Sequence, residues 1–167
     1  MMASKNPNAR VYPMYDVGSF PLPENLHRSI LESTVGVHLA IMQQPWYGWL
    51  MDGSKSIESR FSMNGCAPYE KVHPGDIVLV KNGLVSAAFT VAAVRGVDLT
   101  KRPISDLEEQ YSSGIHADRT FWTERRAKRF CTLVWVEHCT QFPGFPIDKR
   151  DRRGWVVLRD AVLPEIL

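Results

Sequence analysis

The stretch that decides the fold is residues 44–60, QPWYGWLMDGSKSIESR. Pro45 is suited to open a short helix predicted over 45–52, and Gly53 is suited to end it. Residues 54–62 then alternate in polarity, which predicts a β-strand. A core strand carries few charged side chains. The lysine, glutamate and arginine in this strand therefore indicate a site of chemistry or recognition.

The three charged residues of the stretch are Lys55, Glu58 and Arg60. Since side chains alternate along a strand, Glu58 and Arg60 share the face opposite Ile57 and Phe61. They could form a surface ion pair, which would contribute little to stability. Alternatively, they could line a polar cleft in which Glu58 and Arg60 position Lys55 or a ligand. The spacing alone leaves both possibilities open.

Composition favours a compact protein without a cofactor. A length of 167 residues suggests one domain, and 44% hydrophobic with 23% charged residues is typical of soluble globular proteins. No apolar run approaches the roughly 20 residues that span a bilayer, so we expect no membrane association. The three cysteines form no CxxC pair and the histidines are scattered. We therefore expect free thiols, no metal site, no cofactor and a cytoplasmic location.

The rest of the chain predicts an α+β protein. The predicted helices cover 23–34, 105–113 (from a capping box of Ser105 and Glu108) and 118–128, and the predicted strands cover 35–42, 77–82, 84–94, 130–136 and 154–158. Short strands joined by a hairpin, with helices inserted between them, indicate a small mixed β-barrel. We expect an N-terminal arm and helix over 1–35 and a barrel domain over 36–167.

Basic and aromatic residues extend the candidate site. Basic clusters such as Arg119 to Arg129 and Lys149 to Arg153 can contact phosphates, although such clusters are as often solvated faces. An exposed aromatic ring beside a basic cleft can stack on a base. The candidate ligand-binding residues are Lys55, Glu58, Arg60, Trp46, Tyr47, Ser62, Arg125, Arg126 and Arg129, of which Lys55 and Glu58 are also the candidate catalytic residues.

The pattern G-x-K-x-x-E-x-R at residues 53–60, preceded by Gln44-Pro45 and an aromatic turn, resembles the motif of the ASCH (activating signal cointegrator homology) family. The resemblance implies a small PUA-like barrel and binding of RNA or a nucleotide. It implies that Lys55 reaches a phosphate or acts as base or nucleophile. Glu58 would orient Lys55 or bind a base edge, and Arg60 would make a bidentate contact or hold Glu58 in place.

The same resemblance implies two alternatives to simple binding. Some bacterial ASCH proteins are ribonucleases, and one branch hydrolyses N4-acetylcytidine with the motif lysine and a threonine three residues later. This chain has Glu58 at that threonine position. A lysine base must lose several units from a pKa of about 10.4, and pairing with Glu58 would oppose this, which favours binding over metal-independent hydrolysis. A protein-interaction domain, docking through the 119–129 segment or the N-terminal arm, is the remaining alternative.

Overall fold

The computed structural model describes residues 15–148 and 152–164. Most of the predicted N-terminal arm and residues 149–151 of the basic loop lie outside the described residues. The helices are a 3-10 turn at Val17–Ser19, α1 (Glu24–Glu32), α2 (Trp46–Met51), α3 (Ile104–Ile115) and α4 (Arg119–Glu124). The strands are β1 (Val37–Ile41), β2 (Ile57–Ser62), β3 (Ile77–Asn82), β4 (Leu84–Asp98), β5 (Phe130–Phe145) and β6 (Trp155–Arg159). None of the helices in the described ranges is long and apolar enough to cross a membrane.

The strands form one six-stranded sheet in the order β2-β5-β4-β3-β1-β6. β1 runs parallel to β3, and the other neighbours are antiparallel. The ladder between the long strands β4 and β5 has several register shifts. Such bulges bend a sheet, and this one curves into a half-barrel. The mixed half-barrel with short inserted helices confirms the predicted α+β, PUA-like fold class.

An arginine side chain links the edge strand β2 to the end of β1 and to Gly154, the residue before the other edge strand, β6. Arg60 of β2 donates from Nη2 to the carbonyl oxygen of Ile41 at 2.8 Å and from Nη1 to that of Gly154 at 3.1 Å. Its guanidinium carbon lies 5.5 Å from the ring centroid of Trp155. We call this junction the seam. At the seam, side-chain hydrogen bonds take the place that a strand ladder holds elsewhere in the sheet.

Helices α3 and α4 cover the outer face of β2 and β5. Ile57 packs there in an apolar cluster with Leu107 and Trp122. A Cβ atom at Gly114 would lie only 2.5 Å from the Ile57 side chain. Glycine at that position therefore lets α3 approach β2 closely, and this approach brings the end of α3 next to the residues that precede β2.

Several predicted element boundaries are wrong. α3 begins at Ile104 behind Pro103, with no side-chain cap, so the capping box of Ser105 and Glu108 does not form. The helix predicted over 118–128 ends at Glu124. β5 continues past residue 136 to Phe145, because it pairs along the full length of β4. Tertiary pairing here overrides the local turn signal of Pro143.

The predicted division at residue 35 stays a prediction. Ile30 of α1 is fully buried in the same apolar cluster as Val37 and Leu39 of β1. Arg159 of β6 donates to the carbonyl oxygens of Ile30, Ser33 and Val35. The described part of the N-terminal segment therefore packs against the sheet.

Candidate functional site: a cleft beside strand β2

A cleft of about 470 Å³ opens beside β2. It is lined by Ile41, Met42, Gln43, Trp46, Lys55, Glu58, Ser59, Arg60, Phe61, Phe121, Glu124, Arg125 and Lys128. The three charged residues of the 53–60 motif therefore share one hollow that solvent reaches. We refer to this hollow as the cleft.

Lys55 is the most buried charged residue of the cleft, with 3% of its surface exposed. Its Nζ donates to the carbonyl oxygens of Ile57 at 2.8 Å and Ile115 at 3.0 Å. It also lies 5.3 Å from the ring centroid of Trp46. Burial lowers the pKa of the Lys55 amine; nearby Glu58 raises it, but burial and the positive charges of Arg60 and Arg125 prevail.

Glu58 presents a buried carboxylate with unequal oxygens. One oxygen, Oε1, accepts from the main-chain N–H of Ser59 at 3.0 Å and lies 3.4 Å from Nε of Arg60. The other, Oε2, is buried and has no hydrogen-bond partner among the described residues. A buried polar atom without a partner costs free energy. A hydrogen-bond donor that reaches this oxygen would remove this cost.

Arg60 holds parts of the site together by hydrogen bonds and also contributes a positive charge. Two of its terminal N–H groups are donated across the seam, and its Nε faces Glu58. This arrangement fits the role of holding Glu58 in place. A bidentate contact to a ligand would have to displace the seam hydrogen bonds.

Aromatic rings and cations form the outer walls of the cleft. The rings of Trp46 and Phe121 lie 5.4 Å apart, centroid to centroid. The guanidinium of Arg125 stacks 3.6 Å from the ring centroid of Phe121 and donates to its carbonyl oxygen. Lys128 adds an exposed ammonium at the rim, and Glu124 adds a carboxylate. Because Phe121 is buried and Arg125 covers its ring, Trp46 provides the accessible flat surface of the walls, beside the cations of Arg125 and Lys128.

The remaining candidate residues lie away from the cleft. Tyr47 is buried, and its hydroxyl pairs with the Ser86 hydroxyl at 2.7 Å. Ser62 lines a second, smaller cavity instead. Arg126 is exposed outside both cavities, and Arg129 is also exposed, over the ring of Phe130 at 4.9 Å.

The candidate list from the sequence lacks six polar or aromatic cleft residues, namely Gln43, Ser59, Phe61, Phe121, Glu124 and Lys128. The segment 119–129 contained a signal for three of them, since it interleaves aromatic and basic residues. The point at which α4 ends, Glu124, determines which cations of the 119–129 segment face β2. No local pattern marks that end.

The cleft can recognise a ligand that combines donor groups, a flat ring and negative charge. Glu58 can accept a hydrogen bond, Trp46 can contact a ring face, and Arg125 with Lys128 can bind an anion. Within the described ranges, no group of three His, Cys, Asp or Glu side chains is placed to hold a metal ion.

Comparison with solved structures shows what the fold is similar to. A crystal structure of ASCH from Zymomonas mobilis matches with a TM-score of 0.58 and 9% sequence identity, over 74% of this chain and 87% of that chain. A mutant of the same protein matches with a TM-score of 0.58 and 10% identity, over 76% of this chain and 91% of that chain. No protein-family model and no curated protein matches the sequence. The chain therefore has the ASCH-like form of the PUA-like α+β fold.

Proposed function

We propose that this protein binds RNA and that one nucleotide unit occupies the cleft. Glu58 Oε2 accepts a hydrogen bond from an N–H group of the base. Trp46 contacts the face of the base, and Arg125 and Lys128 bind the phosphate. Each of these groups lines the same cleft.

The observation that carries the proposal is the buried Glu58 oxygen without a partner. Every natural base except unmodified uracil and thymine carries an exocyclic amino group on its hydrogen-bonding edge. Uracil and thymine also carry a ring N–H, so each base can supply a donor. An acceptor beside a flat apolar ring and an anion-binding rim matches the three chemical parts of a nucleotide.

The principal test replaces Glu58 with glutamine. The amide oxygen retains the contacts of Oε1, so the NH₂ group takes the place of Oε2 and offers a donor where the base also has one. We expect the Kd for short single-stranded RNA, measured by fluorescence anisotropy at low salt, to rise about 10- to 100-fold, as for loss of a charged hydrogen bond. The fold should persist, because no existing hydrogen bond to Oε2 is lost.

The matched control is Glu124→Gln. It removes the same charge from a residue that lines the same cleft but is exposed. We expect it to leave the Kd unchanged or to lower it slightly. Equal effects of the two substitutions, or no RNA binding by the unmodified protein at low salt, would contradict the proposal.

The second candidate function is hydrolysis of RNA or of a modified nucleoside, with Lys55 as base or nucleophile. The specific observation in its favour is the lowered pKa of the buried Lys55 amine. A neutral amine can donate its two N–H groups to the carbonyls of Ile57 and Ile115 and retain its lone pair for reaction. Glu58 would then orient the group under attack.

This second function makes a pH-dependent prediction. Since only the neutral amine reacts, turnover should rise with pH until it levels off above the lowered pKa of Lys55. Lys55→Met should abolish turnover, measured as product formed from total RNA and from N4-acetylcytidine in the presence of a chelator. A rate that is independent of pH from 6 to 10, or an active Lys55→Met variant, would rule out this role for Lys55.

A further inference from the structure

A second cavity of about 220 Å³ lies next to the cleft. Its walls include the side chains of Phe61, Pro68 and Trp155, which are largely apolar. It is smaller than the roughly 300–1,000 Å³ of pockets for drug-sized ligands. Its size and lining therefore suit a single planar ring system.

Thr132 gives this second cavity a polar contact point. The residue is 1% exposed, lines the cavity, and its hydroxyl has no hydrogen-bond partner among the described residues. A hydroxyl can donate one hydrogen bond and accept others. A buried hydroxyl left in this state indicates a ligand that completes its bonding.

The two cavities adjoin across Arg60 and Phe61, which line both. Thr132 lies directly opposite Arg60 in the ladder between β5 and β2, and Glu58 lies two residues before Arg60 on β2. The two unpartnered oxygens therefore lie on the same face of the sheet, with Arg60 between them. The Arg60 side chain keeps 21% of its surface exposed, so a phosphate that bridges the cavities can contact it.

We propose that the second cavity binds the base of the adjacent nucleotide, so that the ligand is an RNA segment of at least two units and not a free nucleoside. The base lies against Phe61, over the buried side chains of Pro68 and Trp155, and bonds to the Thr132 hydroxyl. The linking phosphate passes over Arg60. This inference rests on the proposed function, because it assigns the second unit of the ligand whose first unit occupies the cleft.

The test compares ligands that differ only in the second base. The protein is titrated by calorimetry with the four ribonucleoside 5′-monophosphates and the sixteen 5′-phosphorylated ribodinucleotides. The tightest dinucleotide is then compared with its two versions in which one unit is abasic, which have the same backbone charge. We expect removal of the base from the second cavity to raise the Kd about tenfold, because the contribution of one stacked base to the binding free energy corresponds to about that factor.

Thr132→Val links this effect to the second cavity. Valine has the same shape, and no hydrogen bond is lost in the free protein, so the melting temperature should stay the same or rise. The Kd for the dinucleotide should rise about tenfold, as for loss of one good hydrogen bond, while the Kd for the mononucleotide stays the same. Thr140→Val, an exposed position on the same strand outside both cavities, is the control and should change neither Kd.

Cysteine alkylation gives an independent readout in the unmodified protein. Cys66 is exposed and lines the second cavity, whereas Cys139 is exposed and lines neither cavity. Saturating dinucleotide should slow iodoacetamide labelling of Cys66 and leave Cys139 unaffected. Saturating mononucleotide should protect neither thiol.

The outcomes separate this inference from the proposed function. If mononucleotides bind but the dinucleotide binds no more tightly than its abasic versions, the second subsite is wrong and the cleft proposal stands. Unchanged Cys66 labelling under saturating dinucleotide would likewise overturn the subsite. If neither mononucleotides nor dinucleotides bind, the proposed function is wrong, and the second subsite with it.

Discussion

Asp76 is a buried carboxylate whose bonding is complete, in contrast to that of Glu58. Its Oδ1 accepts from the Gly36 N–H at 2.8 Å, and its Oδ2 accepts from the His73 N–H at 2.9 Å and pairs with His38 Nε2 at 2.8 Å. Trp155 donates to Nδ1 of His38 at 3.1 Å. His38 must therefore carry its proton on Nε2 and donate it to Asp76. The hydrogen bonds of this network therefore fix which of its atoms donate and which accept.

This network predicts how the stability of the protein depends on pH. Burial would raise the pKa of Asp76, but the hydrogen bonds from His38, His73 and Gly36 outweigh it and lower the pKa. A depressed pKa stabilises the folded state above the unfolded value of about 3.9. That contribution is lost as the pH falls through the folded value.

Asp76→Asn tests this dependence. The amide must place an N–H group against one of the donors, so we expect about 2–4 kcal/mol of lost stability at pH 7, measured by urea unfolding. The difference between the variant and the unmodified protein should shrink as the pH falls below about 4. A difference that stays constant down to pH 3 would show that ionisation of Asp76 is not the cause.

At the residue scale, the sequence predicts which side chains matter better than it predicts their partners. The spacing of Lys55, Glu58 and Arg60 leaves a surface ion pair and a cleft equally open, and the structure places all three side chains in one hollow. The partner of Lys55 at Ile115 lies sixty residues further along the chain, and no local pattern encodes such a contact. Tyr47 is adjacent to Trp46 in sequence but lies on the other side of α2, because successive helical residues diverge by about 100°.

At the scale of elements, the seam links the two ends of a sheet that its bulges curve into a half-barrel. Edge strands present unpaired main-chain groups that natural proteins cover or pair. Here the carbonyl oxygens of Ile41 and Gly154 receive the two ends of the Arg60 guanidinium. One side chain therefore connects the two ends of the sheet.

Arg60→Met removes these hydrogen bonds and keeps a side chain of similar length. We expect a loss of about 2–3 kcal/mol in the free energy of unfolding, since both bonds are charge-assisted and Glu58 loses its nearest cation. The substitution should also increase the rate of amide hydrogen exchange, and this increase should be larger in β6 than in β4. The matched control, Arg28→Met, breaks only an exposed ion pair within α1 and should cost less than about 0.5 kcal/mol. Equal losses in the two variants would count against the seam.

Elements with strong local signals were predicted well, and elements defined by long-range pairing were not. The turn at Asn82-Gly83 produces the expected hairpin between β3 and β4, because Gly83 supplies the positive φ of 72° that the tight turn requires. Asn82 itself lies in β3 without a positive φ, so the turn is not the type I′ turn that an Asn-Gly pair favours. The length of β5 is set by its ladder with β4, so the sequence near Pro143 predicts a loop that does not form. α4 ends at Glu124, although the next four residues, Arg125 to Lys128, are good helix formers.

At the scale of the whole molecule, α1 and the sheet share one core. Ile30 is fully buried, whereas the next residue, Leu31, is 59% exposed. Ile30 packs in one apolar cluster with residues of β1, β3 and β6. We therefore expect the described chain to unfold as one cooperative unit that includes α1.

The pair Ile30→Ala and Leu31→Ala tests this expectation. The first substitution leaves a cavity in the core and should cost about 2–5 kcal/mol. The second changes a mostly exposed side chain and should stay within about 0.5 kcal/mol. Unfolding followed by both far-ultraviolet circular dichroism and tryptophan fluorescence should give coincident transitions. If α1 melted separately in the Ile30→Ala variant, the helix would be an independent appendage.

The attachment of Lys55 to Ile115 has a consequence for the whole molecule. The carbonyl oxygen that holds the amine belongs to the last turn of α3, and Gly114 keeps that turn against β2. A small outward displacement of α3 would admit water to the amine and return its basicity toward that of free lysine. The proton affinity of the amine therefore depends on where α3 lies, so a substitution that shifts this helix would change it without touching the cleft.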